Sequence, residues 1–207
     1  MFISFEGIEG CGKSTLMNGL ADALRAMDVP VVTTREPGGT DVGDRIRAIF
    51  LDFPGRIEPF AEALLINASR THLVSHVIEP ALEEGMTVLC DRFTDSTLAY
   101  QGYGRGLALE MLEPLCDAAT LGLHPDLTFI IDIPVELSRR RVAERTGTVA
   151  KNADRMESED DAFYERVRQG YLEIANVDPD RIRLLDGTVA ASALLLDALQ
   201  QLMEVAE

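Results

Sequence analysis

A doubly wound α/β fold, with a five-stranded parallel sheet between two layers of helices, follows from three observations. Short apolar runs alternate with longer helical patterns from one end of the chain to the other. A glycine-rich turn joins the first apolar run to the first helical pattern. Polar or charged residues stand where four of the five runs end, the edge at which such sheets gather ligands.

The elements follow in order. Phe2–Phe5 is a short apolar run suited to a strand buried on both faces. Leu16, Leu20, Ala23 and Leu24 then recur at helical spacing within Ser14–Met27. Val29–Thr33 reads as the second strand, and helices are expected over Val42–Leu51 and Pro59–Glu84. Thr87–Cys90, Leu127–Ile131 and Ile182–Leu185 complete the set of strands. Helical patterns near Leu107–Leu121, Glu136–Glu144, Ala162–Asn176 and Val189–Glu204 supply the crossovers that parallel strands need. Arg145–Asp161 is polar and lacks apolar periodicity, so it reads as a mobile lid at about 145–161. With no linker or repeat, residues 1–207 are expected to form a single domain.

Gly7-Ile8-Glu9-Gly10-Cys11-Gly12-Lys13-Ser14 matches G-x-x-x-x-G-K-[ST] in a strand–loop–helix context. Its glycines let backbone N–H groups converge on phosphate oxygens, and the helix N-terminus adds donors and dipole. Lys13 is expected to reach the outer phosphates and Ser14, next to Thr15, to offer a hydroxyl to Mg²⁺. Lysine occurs only at positions 13 and 151, against seventeen arginines, so surface composition does not account for Lys13. The chain is therefore expected to bind a nucleoside triphosphate, as a P-loop NTPase. Asp91 ends an apolar strand as a Walker-type acid does, to hold Mg²⁺ through water or to orient Arg92.

The net charge of −16 argues against nucleic acid and anionic membranes as partners. No apolar stretch is long enough to span a bilayer, and no signal peptide precedes the first strand. Cys11, Cys90 and Cys116 lack metal or disulfide spacing, which suggests reduced thiols and a cytoplasmic protein. Against the acidic background, Arg139, Arg140, Arg141, Arg145, Lys151 and Arg155 form a local basic cluster suited to a small polyanion. Arg35 and Arg92 follow adjacent strands, and their planar forks suit a second phosphate. Glu9 would be repelled by phosphate oxygens, so it should face a cation or a hydroxyl donor.

Taken together, Gly7–Ser14, Arg35-Glu36-Pro37-Gly38-Gly39-Thr40, Asp91-Arg92-Phe93-Thr94-Asp95-Ser96, Ala99-Tyr100-Gln101-Gly102 and Asp154-Arg155-Met156-Glu157 resemble the bacterial thymidylate kinases nearly end to end. That resemblance implies a nucleoside-monophosphate-kinase type of fold, a homodimer, and transfer of the γ-phosphoryl of ATP to dTMP with Mg²⁺. It places Glu9 toward the sugar 3′-hydroxyl and Arg141 against adenine. Ile66, Arg70, Thr97 and Gln101 would meet thymine, Tyr100 would pack near C2′, and Ser96 would join the substrate site. Arg35 and Arg92 would serve the acceptor phosphate. One branch of the family carries an arginine where this chain has Gly10; this chain resembles the branch that supplies the cation from the lid. Arg155 is the first candidate, with Lys151 and Arg145 behind it. Many family members have a stacking phenylalanine where this chain has Ile66, so altered base preference is the alternative reading. A non-catalytic ATP-binding switch ranks below both.

Overall fold

The computed structural model describes residues 1–146 and 155–206. Five strands, β1 (Phe2–Glu6), β2 (Val31–Arg35), β3 (Thr87–Asp91), β4 (Leu127–Asp132) and β5 (Ile182–Asp186), form one parallel sheet in the order β2-β3-β1-β4-β5. All five coincide with the expected runs. The second begins two residues later than Val29, because the Val29 amide closes the preceding helix on the Leu24 carbonyl at 3.1 Å. This shift carries Arg35 into the strand, in register with Asp91.

Alternation along β1 assigns the two faces. Ile3 and Phe5, with Leu89 of β3, pack against Leu16, Leu20 and Leu24 of α1 (Lys13–Ala26). Phe2, with Val88 and Cys90, packs against Leu73, Val74 and Ile78 on the opposite face. These last residues belong to the long helical segment after β2, expected as one helix over Pro59–Glu84. It is α3 (Pro59–Leu73), a π-helical turn (Val74–Ile78) and α4 (Glu79–Glu83). Ahead of it, α2 (Asp41–Asp52) starts at Thr40, whose hydroxyl accepts from the Gly43 amide at 3.0 Å as an N-cap.

The polar stretch after β3 folds as α5 (Thr94–Thr97) and a second π-helical turn, Leu98–Gly104. Such widened turns often mark functional positions. Here the turn carries Tyr100 and Gln101. The remaining helices are α6 (Leu109–Thr120), α7 (Val135–Thr146), α8 (Asp161–Val177) and α9 (Ala191–Ala206). Asp160 caps α8 by accepting from the Phe163 amide at 2.7 Å. Of the lid predicted at about 145–161, residues 147–154 lie outside the described residues, Lys151 and Asp154 among them.

Candidate active site

The β1–α1 turn brings its backbone close to the neighbouring strand. Gly7 has φ 134°, and a Cβ there would lie 2.5 Å from the Ile131 carbonyl oxygen, so only glycine fits. Gly12, at φ 110°, is the residue from which α1 departs. Lys13 is buried, and its Nζ donates to the carbonyls of Gly7 (3.1 Å) and Ile8 (3.2 Å) across the turn. Burial opposes its charge, but nearby groups including Asp91 and Glu9 raise its pKa above the ordinary lysine value. Ser14 Oγ donates to Asp91 Oδ2 at 2.8 Å, which joins the loop to the end of β3. These two oxygen donors suit a hard cation that takes its other ligands from water and phosphate.

Beside the loop, Gly10, Gly12, Thr15, Arg141 and Gly187 line a groove. Arg141 donates to the carbonyls of Gly10 and Cys11 (3.4 Å each) and of Gly187 (3.0 Å), so its guanidinium lies along that groove.

On the other side of the loop a cleft of about 640 Å³, its open mouth included, runs between α2, α3 and the π-turn. Glu9, Ile66, Arg70, Arg92, Ser96, Tyr100 and Gln101 border it, as the sequence placed them. Glu36, Arg47, Phe50, Leu51, Met156, Glu157 and Tyr164 border it too. Two residues assigned to the substrate are elsewhere. Thr97 is fully buried and its hydroxyl accepts from Arg70 Nη1 at 3.1 Å. Arg35 points outward and lies 3.5 Å from Asp44.

Arg92 is the centre of the cleft. Its Nη1 donates to Gly7 O, Ser96 Oγ and Tyr171 Oη at 3.1 to 3.2 Å, and its Nη2 donates to Tyr100 Oη at 3.1 Å. The guanidinium lies 4.8 Å over the Tyr100 ring. Behind it Glu6, fully buried at the end of β1, accepts from Ser96 Oγ (2.5 Å), Tyr171 Oη (2.8 Å) and the Phe93 amide (2.7 Å). A hydroxyl has one proton. With those protons donated toward Glu6, the Ser96 and Tyr171 hydroxyl oxygens turn their lone pairs to Arg92. Burial, with help from Asp95, pushes the Glu6 pKa up to about 7 against the pull of Arg92.

Glu9 is flanked by cations. Arg145 Nη2 lies 3.0 Å and Arg92 Nη2 3.6 Å from its carboxylate. Burial acts to raise its pKa, but Lys13, Arg92 and Arg145 together hold it down at about 2. Arg145, at the end of α7, is thus a second basic-cluster residue placed beside the phosphate loop, with Arg141. Arg155 turns away from it. Its Nη1 pairs with Glu62, its Nε donates to Phe50 O at 2.9 Å, and its plane lies 4.7 Å over the Phe50 ring.

Buried acids anchor the α3 side of the cleft. Glu36 pairs with Arg70 Nε at 2.7 Å with both side chains inaccessible, and burial raises the Glu36 pKa to about 7 despite Arg70. Arg70 also donates to Asn67 Oδ1 (2.8 Å) and Phe93 O (2.9 Å). Glu62, on the same helix, accepts from Gln101 Nε2 (3.1 Å), from Arg105 Nε and Nη2 (3.1 and 3.0 Å) and from Arg155. Among the described residues, Gln101 Oε1 and one oxygen of Glu36 are buried without a hydrogen-bond partner. Asp132, at the end of β4, forms a bidentate pair with Arg168 at 2.7 and 2.8 Å.

Sequence reasoning gave no role to Glu6, Glu62, Phe50 or Tyr171. Glu6 left one readable signal, a carboxylate at the end of an apolar strand directly before the loop. Glu62 and Phe50 left none, because an acid or an apolar residue inside a helix looks like surface or core.

Comparison with known proteins identifies the family. Residues 5–194 match the thymidylate kinase family model. A thymidylate kinase of Pelotomaculum thermopropionicum is 50% identical over 205 residues, covering 99% of this chain and 93% of the relative. One from Methylococcus capsulatus is 49% identical over 185 residues, covering 89% and 86%. The crystal structure of thymidylate kinase from Ehrlichia chaffeensis superposes with a TM-score of 0.77 at 33% identity, over 98% of both chains.

Proposed function

Because the chain belongs to the thymidylate kinase family and phosphorylates dTMP in dTTP synthesis, we propose that ATP with Mg²⁺ is the donor and that the Arg92 cleft holds dTMP. The observation that carries the assignment of the two sites is the bond from Arg92 to the Gly7 carbonyl. It sets the acceptor arginine against the loop that would hold the donor phosphates.

The acceptor oxygen of a nucleotide phosphate is already anionic at neutral pH, so no strong base is needed. The barrier lies in bringing two polyanions together in line, which positioning and fixed positive charge lower. Lys13 and the amides of residues 7–15 take the donor phosphates, with Arg141 along the adenine. Mg²⁺ near Ser14 and Asp91 neutralises phosphate charge when bound. Arg145 supplies the remaining donor-side cation, a role the sequence gave first to Arg155. Arg92 holds the acceptor phosphate, Glu9 the 3′-hydroxyl, and Tyr100 and Ser96 the sugar side. Thymine offers one N–H between two carbonyls. Gln101 Oε1, an acceptor without a partner among the described residues, suits the N–H. Arg70 has five N–H groups; Nε is directed at Glu36, the two of Nη1 at Asn67, Thr97 and Cys116 Sγ, and one of Nη2 at Phe93 O among the described residues. The fifth suits a carbonyl.

An ADP-release assay across dTMP, dUMP, UMP, CMP, AMP and GMP tests this reading. Turnover is expected with dTMP, to disappear with EDTA, and to fall about 10³-fold in kcat in Arg145→Ala. Turnover in EDTA would overturn the metal assignment, and an active Arg145→Ala would return the lid role to Arg155 or Lys151.

A homodimer fits the outer surface of the same helices. Val42 and Ile49 of α2, Phe60 and Leu64 of α3 and Met111 of α6 are exposed, an apolar face of the kind that marks a protein contact. Sedimentation should give twice the 22.7 kDa chain mass; a monomer at micromolar concentration would refute the dimer. The reaction itself favours a cytoplasmic setting. No described helix is long and apolar enough to cross a membrane.

A further inference from the structure

The planar base of dTMP needs a flat apolar wall, and position 66, where the resemblance places one, holds isoleucine in this chain. Three aromatic rings border the cleft: Phe50, Tyr100 and Tyr164. Two of them are tied to the phosphate end or the rear wall. Tyr100 lies under Arg92 with its hydroxyl bonded there, edge-on to Phe163, Tyr164 and Tyr171. Tyr164 lies under Arg139 at 4.5 Å, and its hydroxyl donates to Met156 O at 3.0 Å.

Phe50 differs from both. It sits on α2, which packs along α3 beside Ile66, and it has no polar atom to be claimed by a neighbour. Its ring is clamped from one side by Arg155, whose Nε returns to the Phe50 carbonyl. Arg155 is fixed in turn by Glu62, the carboxylate that also holds Gln101. A continuous chain of contacts, Phe50–Arg155–Glu62–Gln101, thus locks the plane of the ring to the residue suited to read the base edge. With one face against a guanidinium, the ring, 5% exposed, borders the cleft beside Ile66.

We propose that Phe50, clamped by Arg155, supplies the aromatic wall for the thymine ring, with Ile66 as an aliphatic second wall. The proposal rests on the reading of this cleft as the dTMP site. It moves the stacking residue from α3 to α2, and it gives Arg155 a use as a positioning residue away from the transferring phosphate. Base–aromatic contact is worth enough for its loss to be read as a change in affinity.

The chain contains no tryptophan, so Phe50→Trp makes a single fluorescent reporter at the proposed wall. Titration with dTMP should change its emission saturably, and deoxyribose 5-phosphate, which lacks the base, should not. In parallel, Phe50→Leu should raise KM for dTMP about tenfold, with kcat and KM for ATP within a factor of two of wild type. Adding Ile66→Phe to Phe50→Leu should recover most of that loss. Binding of dTMP by calorimetry with unchanged tryptophan emission, or an unchanged KM for dTMP in Phe50→Leu, overturns the proposal and leaves the cleft assignment standing. An equal rise in KM for dTMP and ATP also overturns it, since a purely structural role predicts that pattern. Failure of the unmodified protein to bind dTMP removes the cleft assignment itself, and the proposal falls with it.

Discussion

Arg92→Met lowers kcat/KM for dTMP by about 10³-fold while leaving ATP affinity near wild type. Removal of one preorganised donor from a catalytic site typically costs about 10²–10³ in rate, and Arg92 is both a donor and a full charge. It is buried among Tyr100, Tyr171, Glu9 and Asp91, which outweigh burial and hold its pKa well above the ordinary arginine value. Its backbone sits at φ 76°, a left-handed conformation that costs a non-glycine residue about 1–3 kcal/mol. The bonds to Gly7, Ser96, Tyr171 and Tyr100 hold it there. Arg92→Lys should recover little, because an ammonium cannot span the same partners as a planar fork. Steady-state kinetics with both substrates varied, alongside ATP-analogue binding, measure the split. A loss under tenfold would mean that another cation holds the acceptor phosphate.

Glu62→Ala destabilises the fold by about 3–5 kcal/mol, the usual cost of stripping one partner from a buried ion pair. Glu62 is fully buried, and the substitution leaves Arg155 without its counter-charge and Gln101 without its anchor. Arg105 retains Glu159 at 2.7 Å, which limits the damage on that side. For a chain of this length each kcal/mol moves Tm by about 2–4 °C, so a fall of roughly 6–20 °C is expected by calorimetry. The same variant should raise KM for dTMP more than KM for ATP, because the base wall and the edge reader lose a common support. Thermal stability within about 1 kcal/mol of wild type would show that the two arginines find other partners and that Glu62 is no hub.

Much of the architecture was open to reading because parallel strands buried on both faces leave uninterrupted apolar runs. Phe2–Phe5 and Leu127–Ile131 are of that kind, and β1 and β4 stand there. Loop chemistry was equally plain, since only a narrow set of residues allows a backbone to cradle phosphate. Side-chain direction was not. Arg155 follows the basic helix at a spacing that suggests phosphate contact, yet a carboxylate 93 positions earlier turns its guanidinium away. Arg35 ends a strand at the active edge and still faces outward to Asp44. Thr97 shares a helical turn with Gln101, but Arg70 takes its hydroxyl into the core. Each of these outcomes depends on a partner distant in sequence, which local pattern cannot contain. The burial of Glu36 and Glu62 was hidden for the same reason, because an acid reads as solvated until its cations are known.

Helix α3 has no idle side. Ile66 and Arg70 border the cleft, Glu62 is buried against Arg155 and Arg105, Ser69 Oγ accepts from the Gly38 amide at 3.0 Å, and Leu73 closes the core under β1 and β3. Phe60 and Leu64 stand on its outer surface. A mutation that suits one side must therefore be tolerated by the other through a rod one side chain thick. Mutational drift should be slowest along this segment. Library selection should find fewer accepted changes per position in residues 59–73 than in α9, whose outward positions carry no comparable duty.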